Sequence, residues 1–193
     1  MDEAVANFAS FIEVKVETGN TISIYDNGRG IPIDPHPNFP DKSALEVIMT
    51  TLHAGGKFSN KVYQTSGGLH GVGISVVNAL SEFVDVEVYR DKKIYNQKFS
   101  RGHPASKLKE IKKKTNKKGT KISFKPDPEI FGPDNNFNCN KLYDFSKSKA
   151  YLFAGVEIRW FCDSEISKKE NIPENDIFKF SQGLIDLVQN EVD

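Results

Sequence analysis

Hydrophobic and polar positions along the chain fall into two periods. Period two begins at residue 11, where Ile12, Val14 and Val16 alternate with Glu13, Lys15 and Glu17. Gly19-Asn20 then breaks the run before Thr21-Ile22-Ser23-Ile24-Tyr25, so residues 11–25 read as a β-hairpin. Further strands are expected over Phe83–Tyr89, Lys93–Ser100 and Gly119–Lys125, the last with Ile122 and Phe124 inward, and over 156–162 and Phe178–Phe180. Helical spacing marks residues 1–9, Ile74–Leu80, 140–153 and Ser181–Val188. A helix also opens at Ser43, where Glu46 three residues on completes a capping box. Pro35, Pro37 and Pro40 argue against regular structure between hairpin and helix, 126–139 read as loop, and the polar stretch Asp163–Asn175 as a bulge.

Composition changes this picture little. The chain has 193 residues, enough for one domain with a sizeable core, and 26 basic residues balance 26 acidic ones. A net charge of zero by itself marks neither a nucleic-acid nor a membrane partner. No apolar run reaches eighteen residues, and no basic-then-apolar leader opens the chain, which points to a cytoplasmic protein without a membrane role. Cys139 and Cys162 are too few and too far apart for a metal site or disulfide framework. Seven lysines crowd into Lys107–Lys118; without interleaved aromatics they read as a solvated hairpin tip more readily than as a DNA contact.

Three stretches carry candidate chemistry. In Gln64–Gly73, Gly67, Gly68, Gly71 and Gly73, with Leu69, His70 and Val72 between them, run into the Ile74–Leu80 helix. Glycines let amides approach an oxyanion and a helix N-terminus adds positive potential, so this reads as a phosphate cradle, although a plain connection has the same look. In Asp26-Asn27-Gly28-Arg29-Gly30-Ile31-Pro32 a carboxylate ends a strand and can accept from an exocyclic amino group, while Gly28 and Gly30 leave room for a flat ring. A plain Asp-Asn-Gly turn is the alternative there. Between them lies Leu52-His53-Ala54-Gly55-Gly56-Lys57-Phe58, with Lys57 a candidate phosphate contact; His53 and His70 have no nucleophile beside them and read as packing or backbone-bonding residues.

In this order the three stretches resemble the GHKL, or Bergerat, ATPases: gyrase, the heat-shock-90 chaperones, histidine kinases and MutL proteins. DNGRGIP, LHAGGKF and SGGLHGVG together are most similar to the B subunits of type IIA DNA topoisomerases, topoisomerase IV more than gyrase. The resemblance implies a two-layer α/β sandwich, with a mixed, largely antiparallel sheet and helices on one face. It implies ATP with Mg²⁺ as cofactors. It also implies DNA, an A-type subunit and a second copy of the same subunit as partners of the full-length protein.

Residue by residue, it implies that Asp26 takes the adenine amino group and Thr120 supports it. Arg29 pairs with Glu3 under the ring; Ile31, Pro32 and Ile48 line it; Lys57 and Gly67–Gly73 hold phosphates. The family's general-base Glu and its Mg²⁺-holding Asn align upstream of Met1, and a Lys from a second domain aligns beyond residue 193. The expectation is therefore one ATP-binding domain over 1–193 that carries no catalytic residue or metal ligand of its own. A nucleotide-binding module without turnover, and another ATPase of the same fold such as a kinase or chaperone, remain as alternatives.

Overall fold

The computed structural model describes residues 1–53 and 71–192. In chain order the elements are α1 (Asp2–Val5), β1 (Phe11–Glu17), β2 (Thr21–Asp26), β3 (Pro35–His36), β4 (Phe39–Ser43), α2 (Ala44–Thr50) and α3 (Gly73–Ala79). There follow β5 (Ser81–Arg90), β6 (Lys93–Ser100), β7 (His103–Pro104), β8 (Lys109–Ile111), β9 (Gly119–Pro126) and α4 (Pro128–Phe131). The chain continues through α5 (Cys139–Leu152), β10 (Glu157–Cys162), α6 (Ser164–Glu170), β11 (Asn175–Phe178) and α7 (Leu184–Val192).

One sheet runs β11-β10-β1-β2-β9-β5-β6-β7, with β8 also on β6. Its pairs are antiparallel except β1 with β10. It is thus a mixed, mostly antiparallel sheet accompanied by helices. Because side chains alternate across a strand, one face gathers the apolar positions, and two cores form there. Ile12, Val16, Ile158, Trp160 and Phe178 pack with Ala150 of α5 in the first. Leu45 and Met49 of α2 pack on Val84, Val86, Val88 and Phe99 in the second, with Ile122 and Phe124 against it. Between the two, Ile24 of β2 stays 40% exposed, although its neighbours in register are Val14 and Ile122.

Four expectations need correction. Pro35 and Pro40 do not prevent pairing: β3 and β4 form a separate two-stranded ribbon, with a register shift at Pro35/His36. A ribbon of this kind leaves outward N–H positions where proline's missing donor costs nothing. The 126–139 segment contains α4, begun by Asp127, whose carboxylate accepts the Glu129 amide at 3.0 Å, and by Pro128 at the first helical turn. The Asp163–Asn175 stretch contains α6, capped by Asp163 at one end and by Asn171 in the left-handed conformation at the other. Caps and one apolar anchor, Ile166 against the first core, make that helix in place of a periodic stripe. The lysine run is not a bare tip, since β8 within it pairs Lys109, Glu110 and Ile111 with Asn96, Tyr95 and Ile94.

Candidate functional site

The β1–β2 hairpin sets Asp26 at a strand end beside β9. Asp26 stands in register with Ile12 on one side and Thr120 on the other. Its Oδ1 accepts the Gly28 amide at 2.9 Å. Burial pushes the Asp26 carboxyl above its usual range, the Gly28 amide opposes this, and the nearby Glu3 charge adds to it. The turn is possible because residue 28 has no side chain: a Cβ there would lie 2.7 Å from Asp26 Oδ1 and 2.7 Å from Glu3 Oε2.

Three further groups fix the loop after Asp26. Asn27 Oδ1 accepts from the Ser10 and Phe11 amides at 2.8 and 3.1 Å, and its Nδ2 donates to Ser10 Oγ at 2.8 Å. Thr120 is buried, and its Oγ1 accepts the Ile31 amide at 3.1 Å, so it holds the backbone that carries the apolar wall. Glu3 on α1 takes Arg29 in a fork, Nη2 to Oε1 at 2.7 Å and Nε to Oε2 at 3.2 Å, and accepts the Arg29 amide at 2.9 Å. The Arg29 guanidinium then lies 3.5 Å from the centre of the Phe8 ring, a cation–π arrangement.

Ile31 and Ile33 pack against the second core, Ile48 on α2 is half-buried, and Pro32 is exposed. α2 is started by Ser43, whose Oγ accepts the Glu46 amide at 3.1 Å. Asn78, fully buried on α3, donates Nδ2 to the Met49 carbonyl at 2.9 Å and so ties α3 to the end of α2. Gly71 and Val72 lead into α3 at Gly73, and no side chain caps its first turn. His53 is exposed with φ of 60°. Lys57, Gly67, Gly68, Leu69 and His70 lie outside the described residues.

The structure thus brings Asp26, Gly28, Arg29, Ile31, Thr120 and Glu3 into one network and puts α2 and α3 together by a separate bond. Sequence reasoning missed Asn27 and Asn78 as positioning residues, and Gly119. A Cβ on Gly119 would lie 1.8 Å from the Asp26 carbonyl oxygen, with φ already at +107°. The available signal was a glycine one residue before Thr120 at a strand start. Chemically, the described part of the arrangement offers a carboxylate acceptor on a hydrogen-bonded loop beside apolar side chains.

Residues 1–130 match the family described as Histidine kinase-, DNA gyrase B-, and HSP90-like ATPase. The chain belongs to this ATPase family. Among relatives of this ATPase chain, the DNA topoisomerase 4 B subunit of Bartonella bacilliformis is 56% identical over 97% of the chain, and that of Caulobacter vibrioides 55% over 97%. The DNA gyrase B subunit of Thermotoga maritima is 44% identical over 98%. The chain spans 27%, 27% and 28% of these proteins, less than a third of each. The 43K ATPase domain of Thermus thermophilus gyrase B, solved with an aminocoumarin, superposes with a TM-score of 0.81 at 34% identity, over 100% of this chain and 46% of that one.

Proposed function

We propose that residues 1–193 are the ATP-binding domain from the B subunit of a type II DNA topoisomerase, of the topoisomerase IV kind. The higher identity to the topoisomerase 4 proteins than to the gyrase protein supports that choice. The observation that carries the reading is the Asp26 carboxylate, held by Gly28 and set beside Thr120 and Ile31. Asp26 accepts the adenine amino group. Thr120 keeps the Ile31 backbone in place, Ile31, Pro32 and Ile48 bound the ring, and Arg29, braced by Glu3 and Phe8, forms the loop's outer edge. Phosphates fall to Lys57 and Gly67–Gly73. In the full-length protein ATP binding closes a homodimer and drives strand passage of DNA with an A-type subunit in the cytoplasm.

ATP supplies the free energy of that closure, and Mg²⁺ accompanies its phosphates. Among the described residues no three His, Cys, Asp or Glu side chains converge on a metal position, and Glu3 is engaged by Arg29. A magnesium ion carried by the nucleotide's phosphates needs only one or two protein ligands, and no step is assigned to it. The same engagement of Glu3 favours a second reading in which the 193-residue chain binds nucleotide without turning it over.

Calorimetry with ATP and GTP tests the first reading. Guanine presents a carbonyl oxygen where Asp26 needs a donor, and facing acceptors cost about 1–3 kcal/mol, or about ten- to a hundredfold in affinity. Asp26→Ala is expected to abolish the preference. Equal affinity for both nucleotides, or an Asp26→Ala chain that binds ATP as well as the parent, overturns the assignment. Phosphate release from the chain at a rate matching that of a longer protein carrying the upstream and downstream segments overturns the second.

A further inference from the structure

We propose that the corner formed by residues 91–93 and 107–118 is a docking surface for duplex DNA. Nine lysines stand there against Asp91 and Glu110, seven positive charges in excess. The chain as a whole is neutral, so the remainder carries seven negative charges in excess, and the polarity is local. A total of zero conceals a strongly basic corner.

The two segments form one surface because the backbone joins them. Lys93 Nζ meets Glu110 at 2.9 Å, Ile94 pairs with Ile111, and the Thr115 amide donates to the Lys92 carbonyl at 3.2 Å. The loop is further held by the Lys113 amide on the Ile111 carbonyl, by the Lys117 amide on Thr115 Oγ1, and by Tyr25 Oη donating to the Lys118 carbonyl at 2.7 Å. Lys117 Nζ sits 5.5 and 5.7 Å from the Tyr25 and Tyr89 rings. Lys93 and Lys117 are thereby used internally. Lys92, Lys107, Lys109, Lys112, Lys113, Lys114 and Lys118 are all exposed, and none has an acid within ion-pair distance among the described residues.

Like charges on a held loop repel one another in the free protein, and a polyanion removes that repulsion. Because the backbone is already fixed, docking a partner orders only the lysine side chains, which lowers the entropy cost of binding. The chemistry favours duplex phosphate over a lipid surface. An interfacial segment needs Trp, Phe or Leu to enter the acyl region, whereas in this loop Leu108 packs inward against the second core and Ile111 alone is an exposed apolar side chain. The choice of DNA as the polyanion rests on the topoisomerase reading.

The test is fluorescence anisotropy of a labelled duplex with the 193-residue chain across a salt series, without nucleotide. Each neutralised phosphate contributes about 0.9 to the slope of log affinity against log salt. About six contacts give a slope near −5 and about a thousandfold loss between about 50 and 200 mM salt. Lys112→Gln/Lys113→Gln/Lys114→Gln is expected to halve the slope, leaving about a fortyfold loss over the same range. Lys141→Gln/Lys147→Gln/Lys168→Gln removes the same charge from exposed positions on α5 and α6 and is expected to leave the slope unchanged. An unaltered slope in the loop variant, an equal loss in the α5–α6 variant, or tighter binding to anionic phosphatidylglycerol vesicles than to duplex overturns the proposal. ATP binding by the loop variant, read by calorimetry, is expected to equal the parent's, so failure here is separable from failure of the nucleotide site.

Discussion

Gly119 shows how much a single residue can hold in place at this site. Its backbone passes so close to Asp26 that an added Cβ would overlap the Asp26 carbonyl oxygen, and its φ of +107° strains any side chain besides. Gly119→Ala therefore adds a steric clash to conformational strain of about 1–3 kcal/mol. Gly132→Ala adds the strain without the clash, because nothing lies within 4 Å of its Cβ position and its φ is +90°. For a chain of this size about 1 kcal/mol moves Tm by about 2–4 °C. Gly119→Ala is expected to lower Tm by about 10 °C or to prevent folding, and Gly132→Ala by a few degrees; equal shifts in thermal scans would contradict the close approach. Asp26, Gly28 and Arg29 stand out as candidates in sequence because they are nearly consecutive. Gly119, Asn27 and Asn78 do not, since each acts on a partner that only folding brings near. Asp127 makes a separate pH prediction. The Arg101 guanidinium, with Nε 2.5 Å from Oδ2, holds its carboxyl below the ordinary 3.8. A depressed folded value means the pair's stabilisation is present above the unfolded value and is lost as pH falls through the folded one. Urea midpoints are expected to decline below about pH 4, with a flatter decline in Asp127→Asn, which starts less stable at pH 7.

Short elements in this chain depend on their ends more than on their stripes. α2 spans seven residues, Ala44–Thr50, yet buries Leu45, Val47 and Met49 and carries Ile48. A helix this short is marginal alone, so its start at Ser43 and its packing must both contribute. Gln97, fully buried on β6, reaches Glu46 Oε2 at 3.0 Å and the Ser106 carbonyl at 3.2 Å, which fixes the helix's first turn to the sheet. Ser43→Ala removes the cap at a cost of about 1 kcal/mol. Thermal scans should show a Tm about 2–4 °C lower, and calorimetry a weaker ATP affinity through the displaced Ile48 wall; an unchanged Tm would mean that packing alone starts the helix. The same dependence explains which elements could be read from sequence. The Ser43–Glu46 box and the alternating strands announce themselves within a few residues. α4 and α6 have no apolar period, only caps and, in α6, the single anchor Ile166, and the β3–β4 ribbon is assembled from residues whose prolines argue against it.

At the scale of the whole molecule, the central strands join the two cores. Six register pairs join β1 to β2 and five join β2 to β9. The lone tryptophan, Trp160, is fully buried in the first core, where its Nε1 donates to the Pro173 carbonyl at 2.9 Å and Tyr143 packs edge-on at 5.4 Å. Asp26 ends the strand between the cores; Ile31 beside it packs against the second, and Thr120 stands in register with Val88 of that core. The proposed adenine contacts, Asp26 and Ile31, do not include Trp160, so Trp160 tests whether the sheet makes one cooperative unit. If it does, Trp160 fluorescence and far-ultraviolet circular dichroism give the same unfolding midpoint. ATP at about a hundred times its dissociation constant adds about 2.7 kcal/mol to stability, which at about 2–4 °C for each kcal/mol raises both midpoints by about 5–11 °C. Asp26→Ala should lose the ATP-dependent shift in both signals together. A shift seen by circular dichroism but absent from Trp160 fluorescence would mean that the β1–β2 and β2–β9 ladders do not couple the cores, and that nucleotide stabilises only the half of the sheet it touches.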